Sequence, residues 1–207
     1  MTATSSAGPP RGSASKVGRA CITVVVAGML IAVLASGAAF AAQASSRHAA
    51  SVSPKKWWGT VCSDLHAYTK DTAKYGKELV AELNDVKSLS DVKSRFLTFL
   101  NNNATRADRL IASLKRVGSP NAPGGVQFAT AISAGFTQLR DGFKRLVPEA
   151  RSALTGSSAD VQAGVQKLQG ELTTLGDQSG KVEQAASQAE SPLMTLARQS
   201  VKGCKSV

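Results

Sequence analysis

The feature that most constrains the fold of this 207-residue chain is a helical pattern of core-type residues that begins at Trp58. Residues of one face recur at alternating spacings of three and four for about seven turns of helix. They are Trp58, Val61, Leu65, Tyr68, Thr72, Tyr75, Leu79 and Leu83. No part of the chain has the alternating pattern of a strand, so the sequence predicts an all-α fold.

Turn and capping signals predict where the first two helices begin and end. Ser53 followed by Pro54 marks the start of the first helix. We place the start of the second helix at Ser90, and Gly118 with Pro120 marks its end. The residues of the second helix that we expect in the core are Val92, Phe96, Phe99, Asn103, Ala107, Leu110, Leu114 and Val117.

Two more long helices and a short one follow. Pro148 is expected to kink or end the third helix. The fourth helix begins at Ser157, and its glycines predict a break near residues 176–180. Ser191 precedes a last short helix, residues 193–200. The predicted core faces are Ala129, Ile132, Phe136, Leu139, Phe143, Leu146 and Ala150 in the third helix, and Val161, Val165, Leu168, Leu172, Leu175, Val182, Ala186 and Ala189 in the fourth.

Four long helices with short connections are expected to pack as an antiparallel four-helix bundle over residues 54–207, ending in the short helix. The start of the first helix and the end of the fourth then lie at the same end. This arrangement brings Cys62 and Cys204 together, and an even number of cysteines in an exported protein favours a disulfide. The alternative is a pair of free thiols.

Residues 1–41 have the three parts of a secretory signal peptide. Three basic residues and no acid precede a run of thirteen uncharged residues, Ile22–Leu34. The small residues that follow include Ala39-Phe40-Ala41, which predicts cleavage between Ala41 and Ala42. Residues 42–53 are small and polar and are expected to form a flexible linker.

The alternative to cleavage is a retained membrane anchor at residues 21–42. These 22 residues carry no charge, and roughly 20 apolar residues cross a bilayer. The chain would then be a single-pass membrane protein with a cytoplasmic N-terminus. Both alternatives place the helical body outside the cytoplasm, either secreted or at the cell surface.

The leader, the early cysteine and two longer segments together resemble a known group of proteins. The segments are FLTFLNNNATRADRLIASLKRVGSPNAPGG and SPLMTLARQSVKGC. They resemble the small secreted helical-bundle proteins and lipoproteins of actinobacteria, which have a Gly-x-Pro turn after the second helix and a C-terminal Ser-Pro-x-Leu…Cys segment. The similarity covers about Trp57 to Cys204, but this chain lacks the lipobox cysteine of the lipoprotein members. The resemblance implies a helical bundle and no activity.

The residues that support catalysis or metal binding are scarce. His66 is the only histidine of the predicted bundle, whereas a di-iron bundle needs Glu-x-x-His motifs on two helices. The chain also lacks the Gly-x-Ser-x-Gly elbow and the Gly-rich phosphate loop. We therefore expect no enzyme activity, no metal and no cofactor.

Basic residues exceed acidic ones. Without the three basic residues of the leader, 22 Lys and Arg remain against 14 Asp and Glu, a net charge of +8. If the second and third helices are neighbours, their basic stripes could merge into one polyanion-binding surface. The candidate residues are Arg95, Arg106, Arg109, Arg116, Arg140, Lys144 and Arg151. The alternative is a merely soluble basic face.

We expect a non-enzymatic protein of the cell envelope that contacts an anionic wall polymer or membrane surface. Nucleic acid is the least favoured polyanion because aromatic residues for base stacking are missing. Exposed charges are screened over about 8–10 Å at physiological salt, so such binding should be weak and salt-sensitive. Two alternatives are a membrane-anchored module that binds an envelope protein and a carrier of a small apolar ligand. No oligomeric state is predicted.

The segment Lys55-Lys56-Trp57-Trp58 has two interpretations. In one, Trp58 lies in the core and Trp57 at the end of the bundle. In the other, the whole cluster lies at the headgroup layer of a membrane, as aromatic and basic side chains do in membrane proteins.

Overall fold

A computed structural model of the protein describes residues 51–204, apart from the side chains at 182, 183 and 185. The helices are α1 (Pro54–Asn84), α2 (Leu89–Val117), α3 (Gly125–Ala153), α4 (Ser158–Ala189) and α5 (Pro192–Gln199), followed by a 3₁₀ turn (Lys202–Cys204). Two short strands, β1 (Ser51–Val52) and β2 (Ser119–Pro120), complete the fold. The all-α prediction is therefore confirmed for the described residues. The predicted leader or anchor and its cleavage site lie outside them.

Local sequence signals explain most helix ends. α1 starts at Pro54 behind Ser53, as predicted. α2 starts after Ser88, so our assignment of Ser90 as its cap was wrong. The Ser88 hydroxyl accepts from the N–H of Asp91 at 3.1 Å, and the Asp91 carboxylate accepts from the N–H of Ser88 at 3.1 Å. Ser90 lacks an acid three residues later, which this reciprocal capping box requires.

α2 and α4 end and begin where the sequence predicted. Gly118 has a φ of 76°, a left-handed conformation that glycine adopts without strain. Ser157 caps α4 through a second capping box with Asp160. Ser191 precedes α5, whose first residue is Pro192.

Neither the predicted end of the third helix at Pro148 nor the predicted break in the fourth helix occurs. α3 continues through Pro148 to Ala153, and α4 is unbroken through residues 176–180. Pro148 removes only the hydrogen bond to the carbonyl of Lys144, and both residues are exposed, so water can bind that carbonyl. In α4, packing of Leu168, Leu172 and Leu175 on α3 offsets the unfavourable helix propensity of the glycines.

Helices that are consecutive in the chain pack side by side, and α5 packs back on α1. Three contacts that involve charged side chains join successive helices. They are Arg95–Glu82 between α1 and α2, Lys93–Arg151 between α2 and α3, and Arg145–Glu171 between α3 and α4. Within the described residues, no helix is both long and apolar enough to cross a membrane.

The end of the predicted linker is part of the fold. β1 pairs in parallel with β2, in the register Ser51 to Ser119 and Val52 to Pro120. The carbonyl of Val52 also accepts a hydrogen bond of 2.7 Å from the N–H of Asn121. The Val52 side chain packs against the apolar cluster at this end of the helices. Ser51 and Val52 are therefore held in place because the loop after α2 supplies partners for their backbone.

Candidate functional site

The two cysteines of the body form the predicted disulfide. Cys62 of α1 and Cys204 of the 3₁₀ turn are joined, with their Cα atoms 5.1 Å apart. Three stretches of chain meet around this bond: residues 51–62, 114–128 and 189–204. We call them together the disulfide end.

Two tryptophans form the core of the disulfide end. Trp57 is 0% exposed and Trp58 is also buried. Their rings lie 5.5 and 5.4 Å from the ring of Phe128 at the start of α3. Each indole N–H donates a hydrogen bond of 2.9 Å to a main-chain carbonyl, Trp57 to Gly118 and Trp58 to Met194.

This packing agrees with the first interpretation, since Trp58 lies in the core and Trp57 lies at this end of the helices, but the ring of Trp57 is also fully buried. It is therefore not available to a membrane headgroup layer. Tryptophan is favoured at a membrane interface partly because its ring N–H finds a polar partner there. The ring N–H of Trp57 already has a partner within the protein. Lys55 and Lys56, by contrast, are exposed at the start of α1.

The junction of α4 and α5 holds a buried ion pair. The guanidinium of Arg198 lies 3.3 Å from the carboxylate of Glu190, whose side chain is 8% exposed. Burial raises the pKa of Glu190, and the positive charge of Arg198 opposes that shift. Arg198 also lies over the ring of Trp58, 5.6 Å from its centroid. The ion pair therefore joins α5 to the residue that follows α4, and the contact of Arg198 with Trp58 joins α5 to α1.

The other charges of the disulfide end are all positive. Glu190 is the only acidic residue in its three stretches of sequence. Within these three stretches, the exposed basic residues that have no ion-pair partner among residues 51–204 are Lys55, Lys56, Lys115, Arg116 and Lys202. We call these five residues the cationic cluster.

Four of the seven predicted polyanion-binding residues are ion-paired. Arg106 is 9% exposed, and its Nε lies 2.7 Å from the carboxylate of Asp71. Arg95 lies 3.0 Å from Glu82. Both pairs join α2 to α1, so these arginines hold helices together instead of facing a partner.

Arg140 and Lys144 share a carboxylate of the neighbouring helix. Asp108 of α2 lies 3.4 Å from Arg140 and 2.9 Å from Lys144. Its pKa is lowered, first by the hydrogen bond from Lys144 and then by Arg140. α2 and α3 are indeed neighbours, but Asp108 lies between the two basic stripes.

The remaining three predicted residues are exposed and have no ion pair within the described part of the chain. Arg116 belongs to the cationic cluster, Arg109 lies about two turns away, and Arg151 lies at the opposite end of α3. They do not form one surface. Sequence reasoning selected Arg116 as a polyanion-binding residue and Lys55 and Lys56 as part of a headgroup-layer segment, but it missed Lys115 and Lys202. It did not join these residues into one cluster, because they belong to three segments that only the tertiary structure brings together.

Apolar side chains are exposed on α5, which packs on α1 and on the 3₁₀ turn at the same end of the fold. Leu193 is 49% exposed and Leu196 is 65% exposed. They are three residues apart on α5 and therefore share a face. Met194, on the other side of this helix, is fully buried against the tryptophans.

The described residues offer little room for a small ligand. A shallow depression between α3 and α4 leaves no space for a water molecule; it is lined by Gly135, Gln138, Leu139, Leu175, Gln178 and Ser179. Residues 51–204 also hold no group of three or more His, Cys, Asp or Glu side chains positioned to bind a metal ion. These observations give no support to the ligand-carrier alternative.

No protein-family model, curated protein or solved structure matches this chain. The resemblance to secreted actinobacterial helical proteins therefore stays a prediction. The features that bear on function are the cationic cluster and the two exposed leucines of the disulfide end.

Proposed function

We propose that this chain is a non-enzymatic, extracytoplasmic protein of the cell envelope that binds an anionic surface through its disulfide end. The body is a disulfide-closed antiparallel helical bundle that presents the cationic cluster at one end. The observation that carries the proposal is that these five exposed basic residues have no ion-pair partner within residues 51–204, at an end of the fold where the one acid of the three stretches, Glu190, is already paired with Arg198.

The position of the N-terminal segment supports this orientation. The chain enters the described fold at Ser51, which pairs with Ser119 at the disulfide end. A retained anchor at residues 21–42 would therefore join the body at the end that carries the cationic cluster. A cleaved leader would leave the same cluster free to bind the wall or the membrane from solution.

Electrostatics explains what kind of binding to expect. Each Lys or Arg close to an anionic membrane contributes about 1 kcal/mol, and the attraction falls off within a Debye length of about 8–10 Å at physiological salt. The five residues of the cluster come from α1, α2 and the 3₁₀ turn; the disulfide joins α1 to the turn, and α2 packs against α1. A fixed group of charges can contact an extended anionic surface without a shaped pocket.

The test compares two variants with the same loss of charge. The first replaces the cationic cluster with Gln at Lys55, Lys56, Lys115, Arg116 and Lys202. The control replaces five exposed basic residues elsewhere, Lys70, Lys77, Lys87, Arg109 and Lys167, with Gln. Both variants are made in the full chain, so the N-terminal segment contributes equally to every sample.

Binding is measured to a soluble teichoic polymer and to phosphatidylglycerol-containing vesicles, at low and at physiological salt. We expect wild type to bind at least one of the two probes, the cluster variant to lose at least tenfold in affinity, and the control to lose less than threefold. Raising the salt should weaken wild-type binding. The proposal is wrong if wild type binds neither probe at low salt, or if both variants lose affinity equally.

A further inference from the structure

We infer that the surface bound by the disulfide end is a lipid bilayer, and that Leu193 and Leu196 of α5 enter its interfacial layer while the cationic cluster contacts anionic headgroups. This inference rests on the proposed function and names its partner. It begins from Leu193 and Leu196, the two exposed leucines of α5, which belong to the same end of the fold as the cationic cluster.

The outer face of α5 has no charge. Pro192, Leu193, Leu196 and Gln199 are all exposed and lie on one side of this eight-residue helix. The opposite side is firmly attached, because Met194 is buried against Trp58 and Arg198 pairs with Glu190. The leucines are therefore presented by a rigid support and do not need a conformational change to become accessible.

The basic residues near α5 indicate what kind of partner its exposed leucines contact. Lys202 follows α5 directly, and Lys55 and Lys56 start the helix on which α5 packs. An apolar face beside cations fits a surface that is negatively charged outside and apolar beneath, which is the interface of an anionic bilayer. A teichoic-type polymer satisfies the cations but offers nothing to the leucines.

The chain outside the described residues points to the same partner. Residues 21–42 form an uncharged run, and only eight residues separate it from Ser51 at the disulfide end. If this run is retained in the membrane, those eight residues span at most about 29 Å in extended form, so the disulfide end stays close to the bilayer. If the run is removed, the cationic cluster and the two exposed leucines remain as two weak membrane-binding features. Stable attachment to a membrane generally needs two such features.

The experiment uses the full chain and the double substitution Leu193→Gln with Leu196→Gln. Its control is Leu89→Gln, which removes an exposed apolar side chain that lies outside the disulfide end, at the start of α2. Partition is measured on vesicles of phosphatidylcholine with increasing phosphatidylglycerol, and binding to the soluble teichoic polymer is measured in parallel.

We expect the α5 variant to partition about tenfold more weakly than wild type into anionic vesicles, with unchanged binding to the polymer. The control should partition within twofold of wild type. Wild-type binding to vesicles should also persist at higher salt than its binding to the polymer, because the leucine contribution is not screened.

The outcomes separate this inference from the proposed function. Wild type that binds the polymer but not vesicles keeps the proposed function and overturns the inference. An α5 variant that partitions like wild type also overturns it, and means that the two leucines serve another occupant, such as a second copy of this chain or a segment preceding Ser51. Binding to neither probe overturns both.

Discussion

The indole N–H of Trp58 donates a hydrogen bond of 2.9 Å to the carbonyl of Met194, 136 residues later in the chain. The disulfide between Cys62 and Cys204 lies one helical turn further along α1. Together they attach α5 and the 3₁₀ turn to the start of α1. Because the cationic cluster and the exposed leucines belong to these same segments, their arrangement depends on this attachment.

Replacing Trp58 by Phe should loosen α5. The substitution removes the only donor of this hydrogen bond, and losing the partner of a buried polar group costs about 1–3 kcal/mol. We expect a lower urea midpoint and faster tryptic cleavage after Arg198 and Lys202. The control is Trp57→Phe, which loses the equivalent bond to Gly118. It should destabilise the protein without exposing α5, and equal cleavage in both variants would contradict this assignment.

Removing the disulfide should lower the stability of the whole body. The bond closes a loop with a sequence separation of 142, for which the chain-entropy estimate is about 4–5 kcal/mol. We expect denaturant unfolding of the reduced protein to show a large part of that loss. The variant Cys62→Ala with Cys204→Ala should behave like reduced wild type and should not respond to reductant. An unchanged denaturant midpoint after reduction would show that the disulfide does not stabilise the folded protein.

Two glycines of α4 should respond in opposite directions to alanine. A Cβ at Gly164 would overlap the main-chain carbonyl of Ala153, which cannot move aside like a flexible side chain. Gly164→Ala should therefore destabilise the protein by at least about 1 kcal/mol. A Cβ at Gly170 meets nothing within 4 Å, so Gly170→Ala should stabilise it by up to about 1 kcal/mol through helix propensity. Thermal unfolding of the two variants measures both changes in stability. The loss at Gly164 tests whether α4 lies as close to the end of α3 as the structure shows.

The capping box of α4 predicts part of the acid sensitivity. Hydrogen bonds from the hydroxyl and the N–H of Ser157 lower the pKa of Asp160 below its ordinary value. A carboxyl with a lowered pKa in the folded state stabilises the fold above its unfolded pKa, about 3.9, and this contribution is lost as the pH falls through the folded value. Asp160→Asn should therefore flatten the fall of the melting temperature below about pH 4.

Asp177 offers the control for this pH dependence. It is exposed on the same helix and makes no hydrogen bond or ion pair within the described residues. Asp177→Asn should leave the pH profile of the melting temperature unchanged. A profile that flattens equally in both variants would show that general charge, and not the cap, is responsible.

The starts of α1, α4 and α5 and the end of α2 could be predicted because each depends on a few adjacent residues. Ser157 and Asp160 cap α4 with atoms three residues apart, and Gly118 ends α2 through its own φ. The error at Ser90 was also local, since the capping box at Ser88 and Asp91 is visible in the sequence. The cysteine pair was predictable from its number and from the antiparallel order of the helices.

Of the candidate site, the sequence by itself determined the helical segments, the excess of positive charge and the two cysteines. Only the tertiary structure decided which basic side chains lack an ion-pair partner. Arg106 and Arg140 are ion-paired with Asp71 and Asp108 of neighbouring helices, whereas Lys55 and Lys202 have no ion-pair partner within residues 51–204. The reason is physical. An amphipathic pattern indicates which face of a helix is buried, but it does not indicate which charged side chains meet across two helices. Those pairs depend on how the helices are rotated and spaced, and the paired residues are distant in the chain.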